Sequence, residues 1–193
     1  PLEAGVGILP AALALFVAGP LSARVAQRLG VRLTVAIALA IAAGGLAIEA
    51  TVTDGTSYLP IGIGHALFGF GLGLAMAPAT DAIMGTLPPD RAGVGSAVND
   101  TTREVGSALG VAVVGSVAAG VWTSSVTAEA GSLGLERPLA DAAADNVGAA
   151  AHAAAGLDPA TGSRLLEVAN GAFVDALHAG LWVGAGVAAA GAV

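Results

Sequence analysis

Asn99, Asp100, Arg103 and Glu104 crowd into six consecutive positions of an otherwise apolar stretch, VGSAVNDTTREVGSALGVAVVGSVAAGVW, running from Val94 to Trp122. If the stretch is helical, residues three and four apart meet on one face. Asp100 can then reach Arg103, Asn99 can bond it from the other side, and Glu104 sits one turn beyond Asp100. The two acids share one arginine. A second acid in a dry site with a single positive partner can hold and release a proton, which is what a proton carrier requires. Two readings stay open: these residues lock the helix to a partner, or they take part in coupling and line a cavity.

The stretch is long enough to cross a bilayer, and at 1.5 Å per residue Arg103 and Glu104 lie roughly 14–15 Å in from Val94. That is near the middle of a hydrocarbon core about 30 Å thick. Ionised groups at that depth cost at least about 2.5–3.5 kcal/mol each, so they must face the interior of a bundle or a wet cavity. The rest of the chain has to supply that interior. Its 193 residues are 55% hydrophobic and 11% charged, with a mean hydropathy of +0.82. A soluble domain carries about 25% charged residues, and several apolar runs reach or approach the length of a span. The expected fold class is an all-α membrane protein, a transmembrane helix bundle of about five spans.

The net charge of −7 is segregated along the chain, so its positions say more than its sum. There is no lysine and no basic face for nucleic acid. Without cysteine there is no disulfide, thiolate metal site or cysteine nucleophile. No hydrolase or nucleotide-binding motif is present, and no enzyme activity or cofactor is expected.

Four spans with short connectors are expected over 1–122: roughly Gly5 to Ala23, Leu33 to Val52, Leu59 to Met84, and the opening stretch. The first connector, SARVAQRLGVR, holds Arg24, Arg28 and Arg32 and no acid. A turn is expected at Asp54-Gly55-Thr56-Ser57, and GTLPPDRAG makes the second short connector. Residues 123–170 read as an acidic, partly mobile surface loop with one or two short helices, one of them capped by Asp158 before Pro159 and running through Leu165-Leu166. Its alanine-rich runs have helical propensity but little bulk to bury. The final span occupies 171–193. The chain starts without methionine and stops within an apolar run, so it is expected to be a piece of a longer protein.

The three arginines of the first connector place the short connectors in the cytoplasm and the long acidic loop outside a plasma membrane. Asp81, one turn after Pro78, is either a solvated interfacial acid or a further member of the cavity or proton-coupling set. Glu49 and the Asp175/His178 pair read as interfacial, and His65, alone among glycines, as a hydrogen-bonded packing histidine with no second metal ligand nearby. Gly69, Gly71 and Gly73, and the Gly106/Gly110 pair, are small-residue stripes that let helix backbones approach.

The segment GPLSARVAQRLGVR resembles the cytoplasmic loop signature of the major facilitator superfamily. Gly19, Arg28, Gly30 and Arg32 match it, and Gln27 stands where an aspartate is usual. APATDAIMGTLPPDRAGVGSAVNDTTREVGSALGVAVVGS, from Ala77, is similar to the corresponding region of the fourteen-helix drug:proton antiporters of the EmrB/QacA type, and a long external loop before the last helix fits that group. The resemblance implies the C-terminal part of a major facilitator fold, comprising the last five of fourteen helices. It implies a substrate cavity between two halves, one of them the missing N-terminal half, and alternating access by rocking. Arg28 and Arg32 would belong to a cytoplasmic gate lacking one carboxylate at Gln27. The expected function is proton-coupled efflux of drug-like or amphipathic small molecules, with the lipid bilayer, substrate and protons as partners. The rivals are a non-transporting scaffold or sensor of the same fold, and an uptake permease.

Overall fold

The computed structural model describes residues 2–53 and 55–193, with side chains described for all of these except 2–4 and 89. The described residues form seven α-helices: α1 Leu2–Leu29, α2 Val31–Glu49, α3 Tyr58–Met84, α4 Ala92–Ser132, α5 Arg137–Ala143, α6 Val147–Ala155 and α7 Pro159–Gly191, with a 3₁₀ turn at Pro89–Arg91. Among the described residues there is no strand. Five of the helices, α1 to α4 and α7, are long and apolar enough to cross a membrane, as the hydropathy pattern requires.

The chain divides into two compact units, one of 1–111 and 181–193 and the other of 112–180. In the first, α3 packs against both α1 and α2. Its glycines make this possible. A Cβ at Gly73 would stand 2.7 Å from Leu15 O and 2.9 Å from the Ala18 Cβ, and one at Gly69 would strike the Ala11 carbonyl. On the α2 side a Cβ at Gly71 would strike Ala38 O, and one at Gly45 would stand 2.6 Å from Gly64 O. Backbones therefore meet directly, the close approach that small residues permit in lipid. The Gly106/Gly110 stripe behaves differently: among the described residues no atom comes within 4 Å of a Cβ built there.

Side chains around this glycine-alanine interior turn outward. Val6, Ile8, Leu13, Phe16 and Leu59 are all more than half exposed, Phe16 by 77%. An apolar exterior around a small-residue interior suits acyl chains as solvent.

The basic connector is largely helix. Arg24, Gln27 and Arg28 lie within α1, because Ala, Arg, Gln and Leu sustain a helix, and the break is confined to Gly30. That residue takes φ +79°, a conformation glycine adopts without penalty. Its N–H donates to Ala26 O at 2.9 Å, while its carbonyl accepts from the Thr34 hydroxyl at 2.8 Å, so one residue ends α1 and starts α2. In the turn before α3, Gly55 takes φ +83°, and Asp54 lies outside the described residues.

The second unit corrects the expectation of a surface loop over 123–170. α4 continues to Ser132, α5 and α6 follow, and α7 runs unbroken from Pro159 instead of pausing after Leu166. Trp122, Val126 and Leu165 supply the bulk of a core completed by Ala143, Ala144, Ala150, Ala153, Ala154, Ala169, Ala172 and Ala176. The alanines serve as thin spacers: a Cβ at Gly162 would stand 2.6 Å from Ala154 O, so α6 and α7 lie backbone to backbone at that point. The Trp122 indole N–H, buried, donates to Ala144 O at 2.8 Å and ties α4 to the end of α5. Asn146 caps α6 by accepting from Ala149 N at 2.9 Å. Asp158 caps α7 by accepting from Ala160 N and Thr161 N, both at 3.1 Å.

Candidate functional site

The polar cluster lies in the part of α4 that belongs to the first unit. Asn99 is half-buried, and Asp100, Arg103 and Glu104 are exposed. At 100° per residue Asn99, Thr102 and Arg103 share one face, while Asp100 and Glu104 fall together on the next face round. The first face lines a groove of about 260 Å³ with Met76, Ala79, Thr80 and Ile83 of α3. The Thr102 hydroxyl is engaged within the helix, donating to Val98 O at 2.8 Å.

The pairing of Asp100 with Arg103 that the spacing allows is not formed. An ion pair within 4.0 Å joins Glu49 to His65 instead. Arg103 lies along the α3 groove instead of turning back toward Asp100. Within this unit Arg103 and Glu104 are exposed and not enclosed by neighbouring helices. What the chain presents is a charged face on an apolar rod, with Val94, Val98, Val105, Leu109 and Val111 also exposed along it.

Asp81 is exposed near the end of α3 and does not line the groove that Asn99 and Arg103 share. Of the loop residues, Gly19 is half-buried on α1, and Gln27, Arg28 and Gly30 are exposed. Arg32, on the first turn of α2, lines a second groove of about 550 Å³ with Ala79 and Ala82 of α3 and the end of α7. Beneath the loop two buried hydroxyls turn inward: Ser22 donates to Gly19 O at 2.6 Å and Thr34 to Gly30 O.

Glu49 and His65, read separately in the sequence, come together in the structure. The Glu49 Oε1 lies 2.9 Å from the His65 Nδ1, joining the end of α2 to α3, and the same nitrogen lies 3.0 Å from Ile61 O. The signal that could have found the pair is glycine spacing. Gly45 and Gly64 bring α2 and α3 together one turn from the carboxylate, and a Cβ at Gly64 would stand 2.5 Å from Glu49 Cγ.

Five apolar spanning helices, a lipid-compatible exterior and charged faces confined to helix flanks define a multi-pass membrane protein. The family model of the Major Facilitator Superfamily matches residues 1–111. The chain belongs to the major facilitator superfamily. It is 30% identical over 181 residues to the methyl viologen resistance protein SmvA of Salmonella typhimurium, covering 90% of this chain and 34% of that protein. It is 30% identical over 173 residues to the multidrug efflux pump LfrA of Mycolicibacterium smegmatis, again covering 90% and 34%. It is also 30% identical over 115 residues to the tetracenomycin C resistance and export protein of Streptomyces glaucescens, covering 60% of this chain and 21% of that protein. The chain thus spans about a third of the length of the first two relatives.

Proposed function

We propose that this chain is the C-terminal part of a proton-driven exporter of drug-like or amphipathic molecules, of the fourteen-helix type, working by alternating access. The observation that carries the reading is the charged face of α4 on a chain of this family. Asp100, Arg103 and Glu104 are exposed on a helix otherwise dressed for lipid, and ionised groups at mid-span are sustainable where they border water or other protein. In this reading Asn99, Thr102 and Arg103 line one wall of the substrate cavity, the N-terminal half of the polypeptide supplies the other, and Asp81 borders its cytoplasmic end.

The arginines Arg24, Arg28 and Arg32 then face the cytoplasm, where cationic residues are retained, and unit 112–180 lies outside. Arg28 and Arg32 work at the cytoplasmic gate without the carboxylate that Gln27 replaces. The names of the relatives, methyl viologen resistance and multidrug efflux among them, support a cationic or amphipathic cargo.

The test is reconstitution of the whole polypeptide in proteoliposomes with an imposed proton gradient and a panel of lipophilic cations including methyl viologen. Substrate-dependent proton flux that collapses with a protonophore is the expected result. A complete absence of such flux would favour a scaffold or sensor, and accumulation in the opposite direction an uptake permease. Within the same assay Glu104→Gln is expected to flatten the pH dependence of efflux; an unchanged profile removes Glu104 from coupling.

A further inference from the structure

Glu49 and His65 are built to meet. Glycine at 64 leaves room for the glutamate stem, since a Cβ there would stand 2.5 Å from Glu49 Cγ and 3.0 Å from Oε1. Glycine at 45 lets α2 settle on the backbone of α3 at Gly64 and Phe68. The side chain of Glu49 is 15% exposed and that of His65 29%. His65 stands seven residues into α3 from Tyr58, about 10 Å along the helix.

The hydrogen-bond pattern assigns the imidazole proton. Ile61 O can only accept, so the His65 Nδ1 at 3.0 Å carries the hydrogen and donates it there, while the Glu49 Oε1 lies 2.9 Å from the same nitrogen at ion-pair distance. In the neutral ring the lone pair is then on Nε2. With Glu49 ionised the pair carries one net negative charge, and a proton taken up at Nε2 makes the ring a cation facing the carboxylate, a neutral ion pair. No bond other than Nε2–H forms, and the proton comes from water.

Within α1, α2 and α3 the other ionisable side chains that are described lie elsewhere. Arg32 and Asp81 lie about 24–26 Å away along their own helices, and Arg24 and Arg28 sit at the far end of α1. The Tyr58 hydroxyl is engaged, donating to Gly7 O at 2.8 Å. Residues 181–193, which approach α2 where Gly184 meets Leu46, contain no ionisable side chain, and Asp175 and His178 lie earlier on α7. The side chain of Glu3 lies outside those described.

We infer that Glu49 and His65 form one proton-binding site that clasps α2 to α3, tightening when a proton is held at the His65 Nε2. This goes beyond the export reading and does not draw on it: the site is a property of the α2–α3 pair whatever the molecule moves.

The test is a double-mutant cycle in the whole polypeptide, purified in detergent, with Glu49→Gln, His65→Asn and both together. Thermal unfolding is followed at about pH 5.5 and about pH 8.5, on either side of the range in which histidine commonly titrates. The non-additivity of the two substitutions is expected to be at least about twice as large at the lower pH, because the ring then faces the carboxylate as a cation. Equal non-additivity at both values would make the pair a pH-blind clasp and overturn the inference, as would none at either. Should a His65 variant fail to fold, hydrogen exchange of wild-type peptides covering 46–66, corrected for the intrinsic rate, decides the matter. Greater protection at the lower pH supports the site, and equal protection sinks it.

Discussion

Arg103 is the cation of the α4 cluster and lies along a groove made with α3. Removing it takes the nearest fixed positive charge from the face that holds Asp100 and Glu104. Arg103→Ala is therefore expected to lower efflux by about tenfold or more, equivalent to about 1.4 kcal/mol at the transition state, while the yield of folded protein stays near wild type. Vesicle transport measured beside folded protein checks this, and equal losses in both would reduce Arg103 to a structural lock. Asp158 supports a different prediction. Hydrogen bonding from the Thr161 hydroxyl, with help from the backbone N–H groups of Thr161 and Ala160, holds its carboxyl below the usual carboxylate value of 3.8. The group binds fewer protons folded than unfolded, so its stabilising effect is present above 3.8 and is lost as pH falls through the lowered folded value. Asp158→Asn retains an accepting oxygen and should remove this acid sensitivity from amide exchange at Ala160 and Thr161, whereas Asp158→Ala should expose both amides at all pH values.

At the scale of elements, the glycines of α3 and α4 make contrasting predictions. Gly73→Val is expected to destabilise by about 1–3 kcal/mol or more, because the new side chain meets the α1 backbone where a rotamer change cannot help. Gly110→Ala, with open space around it, should be neutral or gain up to about 1 kcal/mol from helix propensity. Unfolding midpoints of the two variants in detergent separate packing glycines from free ones. In the second unit, Trp122→Phe preserves most of the ring volume but leaves the Ala144 carbonyl short of its indole donor, a loss of about 1–3 kcal/mol readable as early melting of the 112–180 helices. The long apolar helices were legible from run length alone, and so was the Asp158-Pro159 start of α7. The lengths and packing of the 123–170 helices were not, because alanine runs carry no amphipathic contrast. Nothing in the local pattern says that Trp122 will find a carbonyl 22 residues on. The Glu49–His65 pair was hidden for a related reason, since its two members read as solitary until Gly45 and Gly64 fix the register of α2 against α3.

At the scale of the molecule, the family and its five apolar helices followed from composition and from the Gly19, Arg28, Gly30 and Arg32 pattern. The disposition of the α4 charges did not follow, because a helix of this kind has a neighbour on only part of its circumference. If the chain supplies one wall of a cavity, as proposed, it is expected to insert in membranes when expressed alone yet to move no cargo. Coexpression with the N-terminal half as a separate polypeptide should restore transport, and efflux by the chain alone would contradict the two-walled cavity. The seams joining α1, α3 and α2 have a mechanical corollary. Their spines touch without flexible filler between them, so none of the three can lean by itself. A bilayer thinner or thicker than their hydrocarbon-facing band has to be met by tipping the whole trio as a plate, and the lipid annulus around Phe16 and Leu59 is where such strain would be felt first.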